Sequence, residues 1–305
     1  MSENARTVVI TGASSGIGAV AAQHFAEQGD RVVVVGRNAE RTKAVADRIG
    51  AEHLLADYAR LDDVRALATA ILDRHERVDV LLNNAGGLVS KRTITVDGHD
   101  LTMQSNHLAP YLLTRLLLPA LERSAQGGGT ARVVSTASAA NLVGHLDLSD
   151  LDGSRKRWNG GWRAYGTSKL AVILFIREFA RRAAAEGTGV DAFSVHPGAV
   201  VTGFGRSSAF IRIATTLSGG RWGATAEVGA APLIALGSPT PMPAASGAYF
   251  DRMRPNGRIA RQAHDEHLQR GLWAESARLT GLPEDDSPAS GPHDPAAESA
   301  GQAGK

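Results

Sequence analysis

Two side chains near the middle of the chain have the residue types and the spacing for proton transfer. Tyr165 and Lys169 lie four positions apart in the segment RAYGTSKL, so a helix would place them on one face. A phenol titrates at about pH 10, too high for a general acid or base at neutral pH. An ammonium about 4 Å away would lower its pKa by about three units at an effective dielectric constant of about 20, and burial would oppose this. The local pattern alone favours a packed tyrosine beside an exposed lysine, so the neighbouring motifs are needed to decide.

A glycine-rich turn joins the first predicted strand to the first predicted helix in VVITGASSGIGAVAAQHF. Glycines at such positions permit a tight turn, close approach of the backbone to a diphosphate, and close packing of helix on strand. The helix N-terminus then offers unpaired N–H groups to the anion. The predicted diphosphate contacts are Gly12, Ser14, Ser15, Gly16, Ile17 and Gly18.

The residues after the second predicted strand bear on the choice of dinucleotide. A site for NAD usually has a carboxylate here for the ribose 2′-hydroxyl, and that carboxylate would repel a 2′-phosphate. This chain has Arg37 and Asn38, with no acid before Glu40. We therefore expect NADP, with NAD less favoured. In the alternative interpretation, Arg37 is a solvated charge ahead of a helix capped by Asn38.

Two further strand ends are expected to line the adenosine. Asp57 and Tyr58 close the third predicted strand, where Asp57 would accept a hydrogen bond from the adenine amino group or, almost as readily, cap the next helix. Asn84, Ala85 and Gly86 follow the fourth strand, where we expect backbone close to the adenine ribose. Asn and Gly are also ordinary turn residues, so a plain turn is the alternative there.

The elements that would position these residues alternate regularly. Short β-branched runs are separated by segments with helical spacing of apolar residues, which is typical of a parallel sheet covered on both faces. We predict one α/β, Rossmann-like, doubly wound domain (1–282) with a seven-stranded parallel sheet, whose ligands bind beyond the carboxyl ends of the strands. The seven predicted strands lie in segments 7–12, 31–36, 53–57, 78–86, 131–138, 190–198 and 247–251.

Composition excludes several classes of protein. With no cysteine among 305 residues, there is no disulfide, thiolate nucleophile or cysteine-based zinc site, and we expect no metal. No targeting signal is visible, and the longest apolar runs are far shorter than the roughly 20 residues that cross a bilayer. We therefore expect a cytoplasmic protein without membrane contact. The net charge is +2 and the basic residues are scattered, so we expect a small ligand and no nucleic acid.

Two segments lie outside this regular pattern. Residues 203–227 mix large apolar residues with glycines, which predicts a substrate lid; a contact within a homo-oligomer is the alternative. Residues 283–305 are rich in Pro, Ala, Ser, Gly and acidic residues and lack large apolar ones. We predict a disordered tail there, because burial cannot offset its ordering entropy. A dispensable extension is favoured over a partner-binding segment.

The motifs together resemble the short-chain dehydrogenase/reductase family over about residues 6–282. They are TGASSGIG, NNAG, an Asn in MQSNHLAPYLLTRLLLP, a Ser closing the fifth strand, YGTSK and HPGAVVT, in that order. NHLAPYLLT, ARVVSTASA and SVHPG are similar to its retinol-dehydrogenase-like branch. The resemblance implies that Tyr165 donates or accepts the proton and that Lys169 lowers its pKa and holds the nicotinamide ribose. It further implies that Ser138 binds the substrate oxygen and Asn106 fixes a relay water.

Chain position distinguishes the serines near Tyr165. Ser168 shares the tyrosine's helix and cannot readily face the phenol across a substrate, and Ser135 lies inside the strand. Ser138 lies at the carboxyl end of the strand, where sites form, and Thr136 is the fallback.

The resemblance also gives the segment HPGAVVT a role at the nicotinamide. It implies that Pro197, Gly198, Val200 and Thr202 contact the nicotinamide carboxamide, although a Pro-Gly turn after a strand is common. The predicted function is an NADP(H)-dependent oxidoreductase acting on a carbonyl or secondary alcohol of an apolar small molecule. The alternative is a non-catalytic NADP-binding sensor or scaffold, since the same fold supports both.

Overall fold

The β-branched runs form one sheet in the computed structural model, which describes residues 5–151, 155, 158, 160–198 and 224–284. The strand order is β3-β2-β1-β4-β5-β6-β7-β8. The predicted doubly wound fold and all seven parallel strands are confirmed. The predicted strand count is one too low, because a two-residue strand, β8, pairs antiparallel with β7. The strands are β1 Thr7–Thr11, β2 Arg31–Gly36, β3 Glu52–Leu55, β4 Val80–Asn83, β5 Ala131–Thr136, β6 Val190–His196, β7 Tyr249–Asp251 and β8 Arg254–Pro255.

Helices cover both faces of the sheet, because alternate residues of each buried strand point to opposite sides. Val8 and Ile10 pack toward α1, α2 and α7, whereas Val9 packs toward α3, α5, α6 and α8. The α-helices are α1 Gly16–Glu27, α2 Ala39–Ile49, α3 Leu61–Leu72, α4 Leu101–Met103, α5 Ala109–Gln126, α6 Trp162–Glu186, α7 Ala226–Gly237 and α8 Glu266–Thr280. A π-helical segment, Gln104–Leu108, joins α4 to α5, and 3₁₀ segments are Ala139–Val143, Leu148–Asp150 and Arg261–His264.

Most of the predicted lid (203–227) and of the predicted tail (283–305) lies outside the described residues. At the described end of the lid segment, Thr225 caps α7. At the start of the tail segment, the carbonyl oxygen of Pro283 accepts a 3.0 Å hydrogen bond from Arg115 and that of Glu284 accepts a 2.8 Å hydrogen bond from Trp273. The first two residues of the predicted tail are therefore held against the fold.

Two other kinds of feature are not found in the described residues. Among the helices in that part of the chain, none combines the length and the apolar character that a membrane crossing needs. The same residues contain no cluster of three or more His, Cys, Asp or Glu side chains that could hold a metal ion.

Candidate active site

The glycine loop is built so that the end of β1, the start of α1 and the end of β4 touch one another. A Cβ on Gly12 would lie 2.8 Å from Cα of Ala85, and Gly12 has a φ of +66°. A Cβ on Gly18 would lie 2.6 Å from the Gly12 oxygen and 2.7 Å from Nδ2 of Asn84. Real Cβ atoms do not approach that closely. Both positions therefore require glycine, and the loop backbone stays open toward the sheet edge.

The first turn of α1 is available to an anion. Gly16 opens the helix with a φ of +58°, and Ser15, at the N-cap, makes no side-chain capping hydrogen bond. The N–H groups at the start of a helix have no intrahelical acceptor, and here no side chain caps them. Ser15 is exposed and Ser14 and Ile17 are half-buried, so the predicted loop residues fit a diphosphate.

The predicted 2′-phosphate position carries an unpartnered cation. Arg37 follows β2 and is exposed, and within the described residues its guanidinium makes no hydrogen bond or ion pair. Oδ1 of Asn38 accepts a 2.9 Å hydrogen bond from Arg41 N and so caps α2. The Asn38 oxygen is therefore occupied by the capping hydrogen bond, whereas the Arg37 guanidinium is available to a ligand. The residues present therefore fit a phosphorylated ribose.

Of the two predicted adenine contacts, Asp57 lies in a turn and Tyr58 lies in the core. Asp57 is half-buried, and its Oδ1 accepts a 3.0 Å hydrogen bond from Ala59 N, a turn contact. The Tyr58 ring lies in the apolar core between α3 and the sheet, and burial raises its pKa. Of Tyr58, only the main chain can therefore meet a cofactor, and its carbonyl oxygen already accepts a 3.1 Å hydrogen bond from Gln104.

A threonine that the sequence reasoning missed organises the end of β4. Oγ1 of Thr11 accepts 3.1 Å hydrogen bonds from the main-chain N–H groups of Asn84 and Ala85 and donates to Leu82 O at 3.2 Å. Nδ2 of Asn84 donates to Thr11 O at 3.0 Å. The one signal available was a hydroxyl residue closing an otherwise apolar strand beside the glycine loop.

Asn106 lies in the π-helical turn and clamps the strand end from the other side. Its Oδ1 accepts a 2.7 Å hydrogen bond from Gly87 N, and its Nδ2 donates to Gly87 O at 2.9 Å and to Ser168 Oγ at 3.0 Å. A Cβ on Gly86 would lie 2.4 Å from that Oδ1. Asn106 is buried, so its amide holds the backbone after β4 beside α6. π-Turns inside α-helices are frequent at functional sites.

Ser138 and Tyr165 meet in the structure, and the other hydroxyl candidates do not take this place. Ser138, after β5, lies close enough to the Tyr165 side chain to lower the pKa of its phenol. The Ser168 hydroxyl instead donates to the carbonyl oxygen of its own helix neighbour Tyr165, at 2.8 Å. Ser135 accepts a 3.4 Å hydrogen bond from Asn83 inside the sheet, and the Thr136 hydroxyl is buried and has no partner among the described residues. The geometry matches the serine chosen from chain position.

Lys169 lies beneath this pair and is buried. Its Nζ donates a 2.7 Å hydrogen bond to Thr136 O and lies 5.7 Å from the centre of the Tyr165 ring. Burial lowers the pKa of Lys169 to about 8. An ammonium with that pKa is still mostly charged at neutral pH.

The prediction that the pKa of Tyr165 is lowered is wrong for this structure. Burial raises the pKa of Tyr165 to about 12, and the nearby Ser138 lowers it by less than burial raises it. The expectation rested on an ammonium about 4 Å from the phenol, whereas Nζ of Lys169 is held by Thr136 O. Desolvation of the phenolate therefore outweighs attraction to the lysine.

The end of β6 adds the predicted nicotinamide turn. Pro197 is buried and Gly198 has a φ of +93°. A Cβ on Gly198 would contact the Arg252 side chain at 3.6 Å. Val200 and Thr202, the other two predicted contacts, lie outside the described residues.

Apolar side chains flank the Ser138–Tyr165 pair. Leu142 and Val143, shortly after Ser138, are 40% and 64% exposed, and Trp162, shortly before Tyr165, is 38% exposed. The Trp162 ring meets the Tyr165 ring edge to face at 6.2 Å between centroids. Exposed apolar groups of this size mark contact surfaces when they occur together.

The chain matches the family model for short chain dehydrogenases over residues 6–209. The chain belongs to the short-chain dehydrogenase family. The dehydrogenase is 36% identical to retinol dehydrogenase 13 of Homo sapiens over 291 residues, which make up 91% of this chain and 85% of that protein. The resemblance to the retinol-dehydrogenase-like branch is thereby confirmed.

Two further relatives of the dehydrogenase are bacterial. A candidate daunorubicin C-13 ketoreductase, DnrU of Streptomyces sp. (strain C5), is 39% identical over 285 residues, 90% of this chain and 93% of that protein. The structure of the Pseudomonas aeruginosa RhlG/NADP active-site complex superimposes with a TM-score of 0.64 at 28% identity, covering 82% of this chain and 95% of that chain. The chain is therefore similar over most of its length to proteins named as a dehydrogenase and a ketoreductase and to one solved in complex with NADP.

Proposed function

We propose that this dehydrogenase is NADP(H)-dependent and moves hydride between nicotinamide C4 and the carbon of a carbonyl or secondary alcohol in an apolar small molecule. The observation that carries the proposal is the gathering of three side chains at the carboxyl ends of the strands. Ser138 lies near enough to Tyr165 to lower the pKa of its phenol, and Nζ of the buried Lys169 lies 5.7 Å from the centre of the Tyr165 ring. The carboxyl edge of the sheet is where doubly wound folds bind ligands.

Each polar residue of the site has a task in the reaction. When bound, the nicotinamide supplies or accepts the hydride. Tyr165 gives its phenolic proton to the oxygen of a carbonyl being reduced, or takes it from an alcohol being oxidised. Ser138 donates to the same oxygen as negative charge develops on it. The Lys169 ammonium favours the phenolate, and Asn106 keeps the backbone after β4 and the start of α6 in register.

Two observations support the cofactor and the substrate class. The guanidinium of Arg37, which is exposed and has no partner in the described part of the chain, suits a 2′-phosphate better than a 2′-hydroxyl, and the loop after β1 suits the diphosphate. The apolar side chains of Leu142, Val143 and Trp162 suit an apolar substrate, and two relatives of this chain are named for retinol and for the C-13 ketone of daunorubicin. The absence of cysteine is consistent with the proposed cytoplasmic location.

The test is a substrate panel. NADPH oxidation is recorded at 340 nm with apolar ketones, aldehydes and quinones, and NADP reduction with the matching alcohols. We expect turnover with at least one apolar class and weak turnover with small hydrophilic carbonyls. Tight NADPH binding without turnover on any member would contradict the proposal and favour the sensor or scaffold alternative.

A further inference from the structure

The segment that follows Ser138 rests directly on the first turns of α6, backbone against backbone. A Cβ on Gly144 would lie 2.4 Å from the oxygen of Gly166 and 2.9 Å from the nitrogen of Thr167. A Cβ on Gly166 would lie 2.7 Å from the oxygen of Ala140 and 3.1 Å from the nitrogen of Gly144. Neither glycine has a positive φ, so the requirement at both positions is space rather than backbone conformation.

A hydroxyl fastens the same two segments together. Oγ1 of Thr167 donates a 3.2 Å hydrogen bond to the carbonyl oxygen of His145, and the N–H of His145 donates to the same Oγ1 at 3.2 Å. Thr167 therefore satisfies both main-chain groups of one residue in the neighbouring segment. This pairing fixes the segment along the helix axis as well as against its surface.

The other end of the segment holds Ser138. Its Oγ accepts a 3.2 Å hydrogen bond from Ala140 N, and its carbonyl oxygen accepts a 2.8 Å hydrogen bond from Nδ2 of Asn141. Oδ1 of Asn141 in turn accepts from Ala260 N at 2.9 Å. Ser138 is thus tied to the 3₁₀ segment Ala139–Val143, and a displacement of that segment is transmitted to the serine.

We infer that Gly144, Gly166 and Thr167 are positioning residues, which hold the Ser138 side chain beside the phenol of Tyr165. The inference rests on the proposed function, because it concerns the geometry of the same proton transfer. It gives a role to Gly166 and Thr167, which lie within the Tyr-Gly-Thr-Ser-Lys motif but touch no reacting atom.

The size of the effect follows from the distances. Ordinary van der Waals contact begins at 3.4 Å, so a methyl group on Gly144 would displace the segment by about 1 Å, and one on Gly166 by somewhat less. A misplacement of about 1 Å can lower a rate by about 100-fold. Removing the Thr167 hydroxyl adds no bulk and allows movement along the helix, so its effect should be smaller.

The experiment uses full-length Gly144→Ala, Gly166→Ala, Thr167→Val and Thr167→Ser with a substrate found active for wild type. We expect kcat to fall by about 100-fold in the first two and by about tenfold in Thr167→Val, with the NADPH Kd unchanged. Thr167→Ser keeps the hydroxyl and should retain most of the wild-type kcat. The pH profile should also move, because Ser138 lowers the pKa of Tyr165. Lys169 and Tyr249, the other titratable groups near that phenol, are unchanged in all variants.

Gly129→Ala is the matched control for a general effect of added bulk against backbone. Its Cβ would lie 2.9 Å from the carbonyl oxygen of Ser124, which is outside the Ser138–Tyr165 contact, so stability should fall while kcat and the pH profile stay as in wild type. Absence of wild-type turnover would count against the proposed function itself. A wild-type kcat and pH profile in Gly144→Ala and Thr167→Val would overturn the positioning inference. If Gly144→Ala does not fold, kcat and the pH profile of Thr167→Val test the inference, because valine is close in shape to threonine.

Discussion

Nδ2 of Asn106 donates a 3.0 Å hydrogen bond to the hydroxyl of Ser168. That hydroxyl donates in turn to the carbonyl oxygen of Tyr165 at 2.8 Å. The pair therefore joins the π-helical turn before α5 to the first turns of α6. Ser168 thereby keeps the site in register, and its hydroxyl is directed away from the phenol.

Ser168→Ala should destabilise the protein more than it slows the reaction. One hydrogen bond on each side of the hydroxyl is lost, while the Asn106 amide keeps its 2.9 Å bond to Gly87 O. We expect the free energy of unfolding to fall by about 1–2 kcal/mol and kcat to fall by less than about tenfold. Urea unfolding and steady-state rates check this. A loss of kcat larger than that of Ser138→Ala would identify Ser168 as the reacting serine.

Ser138→Ala should act mainly on kcat. Its hydroxyl is the one that meets Tyr165 and is placed to donate to the substrate oxygen, and removing one such donor typically costs about 100- to 1,000-fold in kcat. The Kd for NADPH should stay within about twofold of wild type, since Ser138 is not assigned to the cofactor. Stopped-flow NADPH oxidation and cofactor fluorescence measure the two quantities. If kcat is unaffected, Thr136→Val becomes the variant to test.

Arg37→Ala should weaken NADPH binding selectively. A hydrogen bond to a charged group contributes about 1.5–3 kcal/mol, so we expect the Kd for NADPH to rise by about 10- to 100-fold while that for NADH changes little. Arg48→Ala, which removes another exposed arginine near the end of α2, is the control and should leave both Kd values unchanged. Equal affinities for the two cofactors in wild type, unaltered by Arg37→Ala, would refute the assignment to NADP.

His107 should make the fold sensitive to acid. Burial lowers the pKa of His107 to about 3, from 6.5, and Nε2 is paired with Ser276 Oγ at 2.8 Å. In the unfolded chain His107 therefore binds a proton below about pH 6.5, whereas in the folded chain it binds one only below about pH 3. The contribution to stability is complete above 6.5 and falls with decreasing pH in that window, by up to about 1.4 kcal/mol per pH unit.

Urea unfolding at pH 7.5 and 5.5 tests this sensitivity. His107→Gln should be less stable than wild type at pH 7.5 and lose less stability on acidification. His264→Gln, at an exposed position, should follow the wild-type dependence. An identical loss in wild type and His107→Gln would show that other groups dominate the acid response.

The sheet was predictable from the sequence because buried parallel strands read as continuous β-branched runs, as in TVVITG and RVVVVG. The glycine loop was predictable for a similar reason, since few residues other than Gly12 and Gly18 fit those contacts. The strand β8, Arg254–Pro255, escaped prediction because two residues carry no periodicity. The π-helical segment Gln104–Leu108 escaped because a single wide turn is too short to establish a recognisable spacing of apolar residues.

Electrostatics was the least predictable part of the site. The spacing of Tyr165 and Lys169 predicts that they share a helix face. It does not predict that both are buried, or that the main-chain oxygen of Thr136 binds the Lys169 ammonium. Those two features reverse the expected direction of the Tyr165 pKa. The tertiary contacts of Thr11 were equally hidden, because nothing local to β1 indicates that β4 ends against its hydroxyl.

Comparison of kcat between wild type and Tyr165→Phe, with NADPH and the best substrate of the panel, tests the central claim most directly. Phenylalanine keeps the ring that packs on Trp162 and removes only the hydroxyl that moves the proton. We expect kcat to fall by about 100- to 10,000-fold, the usual contribution of a positioned general acid, while the NADPH Kd stays within about threefold of wild type. Turnover of Tyr165→Phe at the wild-type rate would contradict the claim that Tyr165 transfers the proton.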